Sequence, residues 1–271
     1  MSQSQQDSAA ETYEKYFVPA MFVPWAEVLV RHASPRPRER VLDVACGTGI
    51  VARMCAPLVG ASGQLAAVDV NTAMLTVARA YPAPSGATIH WHEGNAVALP
   101  FPGGAFDLVL CQHGLQFVPD RASAAREMRR ILAPGGRALA IVFQALARHP
   151  VFRALIESAA RHLSLPVSAV MTPFALYDAD ELRTLFTAAG FASVEVFPES
   201  VTVRFPEPER FVPFAFMSTA WAMPAFTRME ATARKALLES VCAEVDPTVR
   251  KYRDAGFVTF PMFSHVARAE A

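Results

Sequence analysis

The stretch Val41-Leu42-Asp43-Val44-Ala45-Cys46-Gly47-Thr48-Gly49 decides the fold. Val41 to Cys46 has the length and apolar character of a short buried strand, and glycines at 47 and 49 follow at once. Thr48 to Leu58 then has helical spacing. Strand, glycine turn and helix in this order open a crossover unit of an α/β sheet. In such sheets a ligand lies beyond the carboxyl ends of the strands, so the first turn must bring backbone close to it. Gly47 and Gly49 meet that need, because glycine admits positive φ and leaves room, while the amides of the helix start face the ligand.

The alternation continues outward. Strand-like runs cover Gln64 to Val70, Thr88 to Glu93, Phe106 to Gln112 and Arg137 to Phe143, separated by the helices Thr72 to Tyr81 and Arg121 to Leu132, the second capped by Asp120. Asp178 to Ala189 is a further helix stopping at Gly190, followed by a strand from Ala192 to Phe205 and a last one from about Phe257 to Ala267. These runs make seven strands, and their alternation with helices predicts a parallel sheet covered on both faces. Residues 1–38 form a lead-in: an aromatic amphipathic helix over Glu11 to His32, interrupted by Pro19 and Pro24, and the rigid charged connector SPRPRER. The main domain is expected over 39–271, with insertions at about 144–177 and 206–256, rich in phenylalanine, methionine and proline, forming a cap.

Composition narrows the function. In 271 residues 52% are apolar and 18% charged, which excludes disorder, while no apolar run is long enough for a bilayer; a soluble chain without membrane insertion is expected. Lysine plus arginine equals aspartate plus glutamate at 25 each, so there is no positive field to gather phosphate backbone, and nucleic acid is not the expected partner. Cys46, Cys55, Cys111 and Cys242 have neither metal nor disulfide-framework spacing, which points to a reducing cytoplasm. His90 and His92 alternate on a strand without further converging ligands, so no metal site is expected, and His265 on the last strand reads as structural.

Around the glycine turn the chemistry becomes specific. Asp69, ending the second strand, stands where paired ribose hydroxyls would find two acceptor oxygens. A Gly-x-Gly after a strand also serves as a plain tight turn, and a nicotinamide dinucleotide remains an alternative, since Ala52 replaces the third glycine of that fingerprint and alanine is tolerated there. Asp43 weighs against a pyrophosphate, because an acid at the glycine strand suits a cationic amino group.

VLDVACGTG, AVDVNTAML, GNAVALPFPGGAFDLVLCQ and AAREMRRILAPGGRALAI, in this order and spacing, resemble the class I S-adenosylmethionine-dependent methyltransferases typified by ubiquinone/menaquinone-biosynthesis enzymes. The likeness covers Glu39 to Phe143 and thins towards the C-terminus, where GFASVEV and FPMFSHV still match. It implies a Rossmann-like, mostly parallel seven-stranded sheet with an antiparallel last strand, and S-adenosylmethionine as cofactor, leaving as S-adenosylhomocysteine. Asp43, Ala45, Gly47 and Gly49 would hold the methionine part, Asp69 the ribose, Met74 the adenosine, Val70 the adenine face and Gln112 the surroundings of the sulfonium. Asn95 and Ala96 fall where the family has an acid and a small residue; asparagine still accepts from the adenine amino group, though as a neutral acceptor.

For catalysis the sequence offers His113, whose imidazole titrates near neutral pH and follows Gln112 at the cofactor edge. Its other reading is a loop cap. Tyr16, Phe17, Gln116, Phe174, Met217 and Trp221 are the candidate acceptor contacts, drawn from the lead-in helix, the loop after the fourth strand and the cap. Tyr13 shares the lead-in helix, which in this family folds over the cofactor, and ordinary packing is the competing role. The expected function is methyl transfer to O, N or C of a small, mostly apolar, aromatic or quinone-like metabolite, in secondary metabolism, by a monomer or homodimer. A nicotinamide-dependent oxidoreductase and a non-catalytic cofactor-binding module are the alternatives.

Overall fold

The computed structural model describes residues 9–220 and 223–271. Its sheet is built from β1 (Arg40–Val44), β2 (Gln64–Asp69), β3 (Ile89–Glu93), β4 (Phe106–Gln112), β5 (Leu132–Phe143), β6 (Ser193–Pro206), the two-residue β7 (Arg253–Asp254) and β8 (Phe257–Glu270). The order is β3-β2-β1-β4-β5-β8-β6, with β7 paired only to β8. Strands β1 to β5 run parallel, and β8 lies antiparallel between β5 and β6. The chain leaves β1 towards β2 on one side and comes back to β4 on the other, so the crevice where strand order reverses opens at the end of β1. The strand's pleat divides the core in two. Val41 turns to a layer holding Trp25, Leu29 and Val51, and Leu42 to one holding Met128, Leu182 and Phe186.

The lead-in segment belongs to the first of these layers. It is helical from residue 9 to 33 without a break, and over α1 (Tyr13–Phe22) the winding widens to π geometry before α2 (Val23–Ala33). That widening resolves the expected interruption. Pro19 sits inside the wide turns, away from the tighter ladder it would disrupt, and Pro24 occupies the first turn of α2, where a missing N–H costs nothing. The connector beyond is held by Arg137, whose guanidinium donates to the Ala33 and Ser34 carbonyls and to both Glu39 oxygens.

The cap rests on an arm of the sheet. β6 and β8 pair from Ser193↔Glu270 to Pro206↔Phe257, whereas β5 follows β8 only as far as Phe143↔Ser264, so the remaining hairpin reaches past the sheet. Phe205 and Phe260 on this arm stack with each other, Phe211 of α5 (Pro208–Ala220) packs across both, and Tyr16 of α1 packs on Phe205 and Phe214. α4 (Pro150–His162), which follows β5, and α6 (Ala231–Arg250), which precedes β7, meet through Ser158, which donates to Glu244 at 2.5 Å.

The glycine turn has a tighter reason for one of its glycines than ligand space. A Cβ on Gly49 would stand 2.2 Å from the Trp91 ring on β3, and its φ is +86°. Gly47, at φ +56°, has nothing within 4 Å of such a Cβ. Gly49→Ala is therefore expected to lower unfolding free energy by about 2 kcal/mol or more, part from the left-handed backbone and part from overlap with the indole. Urea denaturation of Gly49→Ala, Trp91→Leu and the double variant checks this. The double variant should lose less than the two singles added, and simple additivity would remove Trp91 as the cause.

Candidate active site

Asp43 stands one residue before the end of β1 with 1% of its surface exposed. Its Oδ2 accepts the Ala52 N–H at 3.1 Å, which ties the first turn of α3 (Ile50–Val59) to the strand end. One amide does not replace water around a carboxylate. Burial pushes the Asp43 carboxyl up to about 8, with nearby Asp69 adding to the rise and Arg53 only partly opposing it. Asp69, at the end of β2, accepts from Gly47 N at 2.7 Å and from Asn71 N at 2.8 Å, so it braces the glycine turn from the neighbouring strand. Burial raises its carboxyl too, against the pull of those amides.

Both acids line one cavity of about 860 Å³. At their end it is bounded by Ala45, Gly47, Val70, Met74, Asn95 and Ala96, and Val70 keeps 69% of its surface open although it is apolar. Gln112 lies where this end meets the rest: its Nε2 donates to the Phe22 carbonyl at 3.0 Å, and its Oε1 is buried without a partner among the described residues. From there the cavity runs under α1, through Tyr13, Phe17, Met21 and Phe22, to an apolar part walled by Phe143, Phe152, Leu155 and Phe174. α1 is latched over it by Glu14, whose Oε1 takes Arg53 Nη2 at 2.7 Å, while the same guanidinium holds the Thr48 carbonyl and stacks on Tyr81.

These features fit one kind of ligand at the acidic end. An uncompensated carboxylate and an orphaned amide oxygen call for a cation, Asp69 can take paired hydroxyls, and an exposed valine beside an open glycine offers a bed for a flat ring.

Comparison with known proteins agrees. A family model described as a methyltransferase domain matches residues 41–136. A 2-phytyl-1,4-naphthoquinone methyltransferase of Synechococcus elongatus is 33% identical over 177 residues, covering 65% of this chain and 71% of that protein. The ubiquinone/menaquinone biosynthesis C-methyltransferase UbiE of Shewanella sediminis is 32% identical over 185 residues, covering 63% and 73%. A solved Haemonchus contortus phosphoethanolamine N-methyltransferase 2, in complex with S-adenosyl-L-methionine, shares the fold with a TM-score of 0.57 at 17% identity, over 97% of this chain and 57% of that one. The chain belongs to the class I S-adenosylmethionine-dependent methyltransferases of the ubiquinone/menaquinone-biosynthesis type, and S-adenosylmethionine is its cofactor. Among the described residues no helix is long and apolar enough to cross a membrane.

Of the residues singled out from sequence, Asp43, Ala45, Gly47, Asp69, Val70, Met74, Asn95, Ala96 and Gln112 meet around the acidic end, and Phe17, Gln116 and Phe174 around the apolar part. Gly49 faces Trp91 instead of the cavity. Tyr16 also stands elsewhere: its hydroxyl donates to the Pro206 carbonyl at 2.9 Å and its ring is spent on the hairpin arm. Met217 packs in the cap without reaching the lining, and Trp221 lies outside the described residues. Asn95 is exposed, and its Oδ1 already accepts from Val97 N at 3.1 Å, which leaves one lone pair for adenine. Tyr13, Met21, Phe22, Phe143 and Phe152 line the cavity although sequence reasoning assigned them no site role or only a general one.

His113 needs a correction of role. It lines the cavity, but it is 6% exposed and its ring lies against Phe143 at 3.9 Å between centroids, with Trp25 at 5.5 Å. Burial holds its imidazole down at about 3, with His149 contributing, so it is neutral throughout the physiological range and a poor base.

Asp43 supplies a pH test. Below about 8 the free protein carries a proton on Asp43, and an ammonium placed beside it must displace that proton. S-adenosylhomocysteine affinity should therefore rise between pH of about 6 and 8, by up to about tenfold per unit, and level off above. In Asp43→Asn the slope should vanish and binding should weaken most at the alkaline end. Isothermal titration calorimetry across this range measures both, and a flat profile in the unaltered protein would contradict the assignment.

Proposed function

We propose that this methyltransferase acts on a small, mostly apolar, oxygen-bearing ring compound of quinol type, whose nucleophile ionises without help from an enzyme base. The carrying observation is the make-up of the lining. Beyond Asp43 and Asp69 at the cofactor end, its titratable groups are Tyr13, Cys46 and His113. Burial raises Tyr13 and Cys46 far above neutrality, and His113 stays neutral. Among the described residues no side chain of the acceptor part is thus set to remove a proton near neutral pH, which disfavours simple alcohols and favours acceptors with acidity of their own.

The cofactor supplies a methyl group already activated on a positive sulfur. Asp43, Gln112 and Asp69 would hold it at the crevice, and α1 with Phe143, Phe152 and Phe174 would exclude water and keep the acceptor in line. About 860 Å³ lies in the upper part of the range for small-molecule sites, room for a cofactor and a modest ring system. The named relatives, a naphthoquinone methyltransferase and a quinone-biosynthesis C-methyltransferase, support the same class.

The test is methyl transfer from S-adenosylmethionine to a panel of reduced naphthoquinones and benzoquinones, phenols, amines and aliphatic alcohols of similar size. Product is read by mass and by S-adenosylhomocysteine release. Turnover should concentrate on the quinols and phenols, and the pH profile of kcat/KM should follow each acceptor's own acidity and keep its shape in His113→Gln. Preferred turnover of amines or alcohols, or a profile that stays put as acceptor acidity changes, would overturn this reading.

A further inference from the structure

Polar groups in the acceptor part of the cavity have no protein partner. Gln116, on the turn after β4, is 2% exposed, and both Oε1 and Nε2 of its amide lack a partner among the described residues. His113 Nδ1, three residues earlier, is equally buried and unpaired. Both residues line the cavity. Buried polar atoms are rarely left unmet, so two such residues in the wall of one apolar space point to a ligand's polar edge.

The tautomer of His113 follows from its other nitrogen. Nε2 stands 3.1 Å from Oγ of Ser264 on β8, a residue with no exposed surface. If the imidazole donates there, the serine hydroxyl proton and the Nδ1 lone pair are both left unmet. If the serine donates to Nε2, only one group stays open, the Nδ1–H. The second arrangement leaves fewer buried groups unsatisfied, and stacking on Phe143 with Trp25 at its edge holds the ring.

Resting on the methyltransferase reading above, we propose that Ser264 fixes His113 as a neutral Nδ1–H donor which, together with the Gln116 amide, holds an oxygen of the methyl acceptor. His113 and Gln116 touch the acceptor, and Ser264 is a positioning residue acting through the imidazole. The pair then selects ring compounds bearing a hydroxyl or carbonyl over hydrocarbons of the same shape, and a donor on that oxygen favours its ionised form without taking its proton.

The probes are 1-naphthol and naphthalene, titrated into protein saturated with S-adenosylhomocysteine. 1-Naphthol should bind about tenfold more tightly or better, the size expected for a buried hydrogen bond, and in His113→Phe the ratio of the two affinities should fall towards one. Nitrogen-15 spectra of the histidine side chains, with His113 among seven assigned by its loss in His113→Phe, should show a protonated Nδ1 and a bare Nε2. Ser264→Ala should erode that tautomer preference, which loss of packing alone would not do. An unprotonated Nδ1, a naphthol preference surviving in His113→Phe, or failure of both probes to bind would each overturn the proposal. If S-adenosylhomocysteine itself does not bind, it is the cofactor assignment that fails, and the nitrogen-15 tautomer still decides the role of Ser264.

Discussion

A carboxyl group buried near the end of β1, with no full counter-charge for its ionised form, is the constraint around which the active site is arranged. Asp43 has neighbours paired on both sides of β1, at Ala67 of β2 and Leu110 of β4, so water reaches it only through the crevice beyond. The Ala52 amide gives it one hydrogen bond and sets where α3 begins. Asp69, one strand over, accepts from Gly47 of the glycine turn on one oxygen and from Asn71 of its own turn on the other, which leaves a lone pair on each. The free protein meets the cost of that burial by keeping the carboxyl protonated below about 8, and a cationic ligand at that position stabilises the ionised form. Cofactor specificity in such a site comes from a pre-existing imbalance as much as from shape.

The rest of the molecule supplies enclosure. The β6–β8 hairpin outruns the sheet, its phenylalanines carry α5 and the wide-wound α1, and α4 and α6 close on each other through Ser158 and Glu244. The part of the cavity they enclose is walled by Phe143, Phe152, Leu155 and Phe174 and is apolar. Methyl transfer makes modest demands on such a pocket, because the donor is already activated; orientation and exclusion of water are what the protein adds. Solved structures share this fold at 17% identity, so it is the lining that must distinguish one acceptor from another.

What was legible in the sequence followed from local rules. The strand, glycine turn and helix around Gly47 are contiguous, and the acids at 43 and 69 stand at or next to the ends of strands whose boundaries hydrophobic patterning marks well. Gly49 was singled out, but its reason was hidden, because Trp91 approaches it only when β3 is in place. Along α1 the lining residues are Tyr13, Phe17 and the adjacent pair Met21 and Phe22, a drift that the wide winding accounts for, whereas an ordinary helical period gives Tyr16 equal standing. Phe174 and Phe205 read alike in sequence, yet one lines the cavity and the other is core, since only the path of the hairpin arm separates them. Ser264 carried no signal at all: a serine on a strand acquires meaning only from the imidazole that β4 delivers beside it.

A crystal structure of the complex with S-adenosylhomocysteine tests the assignment of the crevice most directly. The expected result is the ligand's amino group beside Asp43 and Gln112 Oε1, its ribose hydroxyls on Asp69, its adenine against Val70, and its sulfur turned to the part of the cavity walled by His113, Phe143 and Phe174. A ligand bound with its adenine at Asp43, or lying outside this cavity, would contradict it.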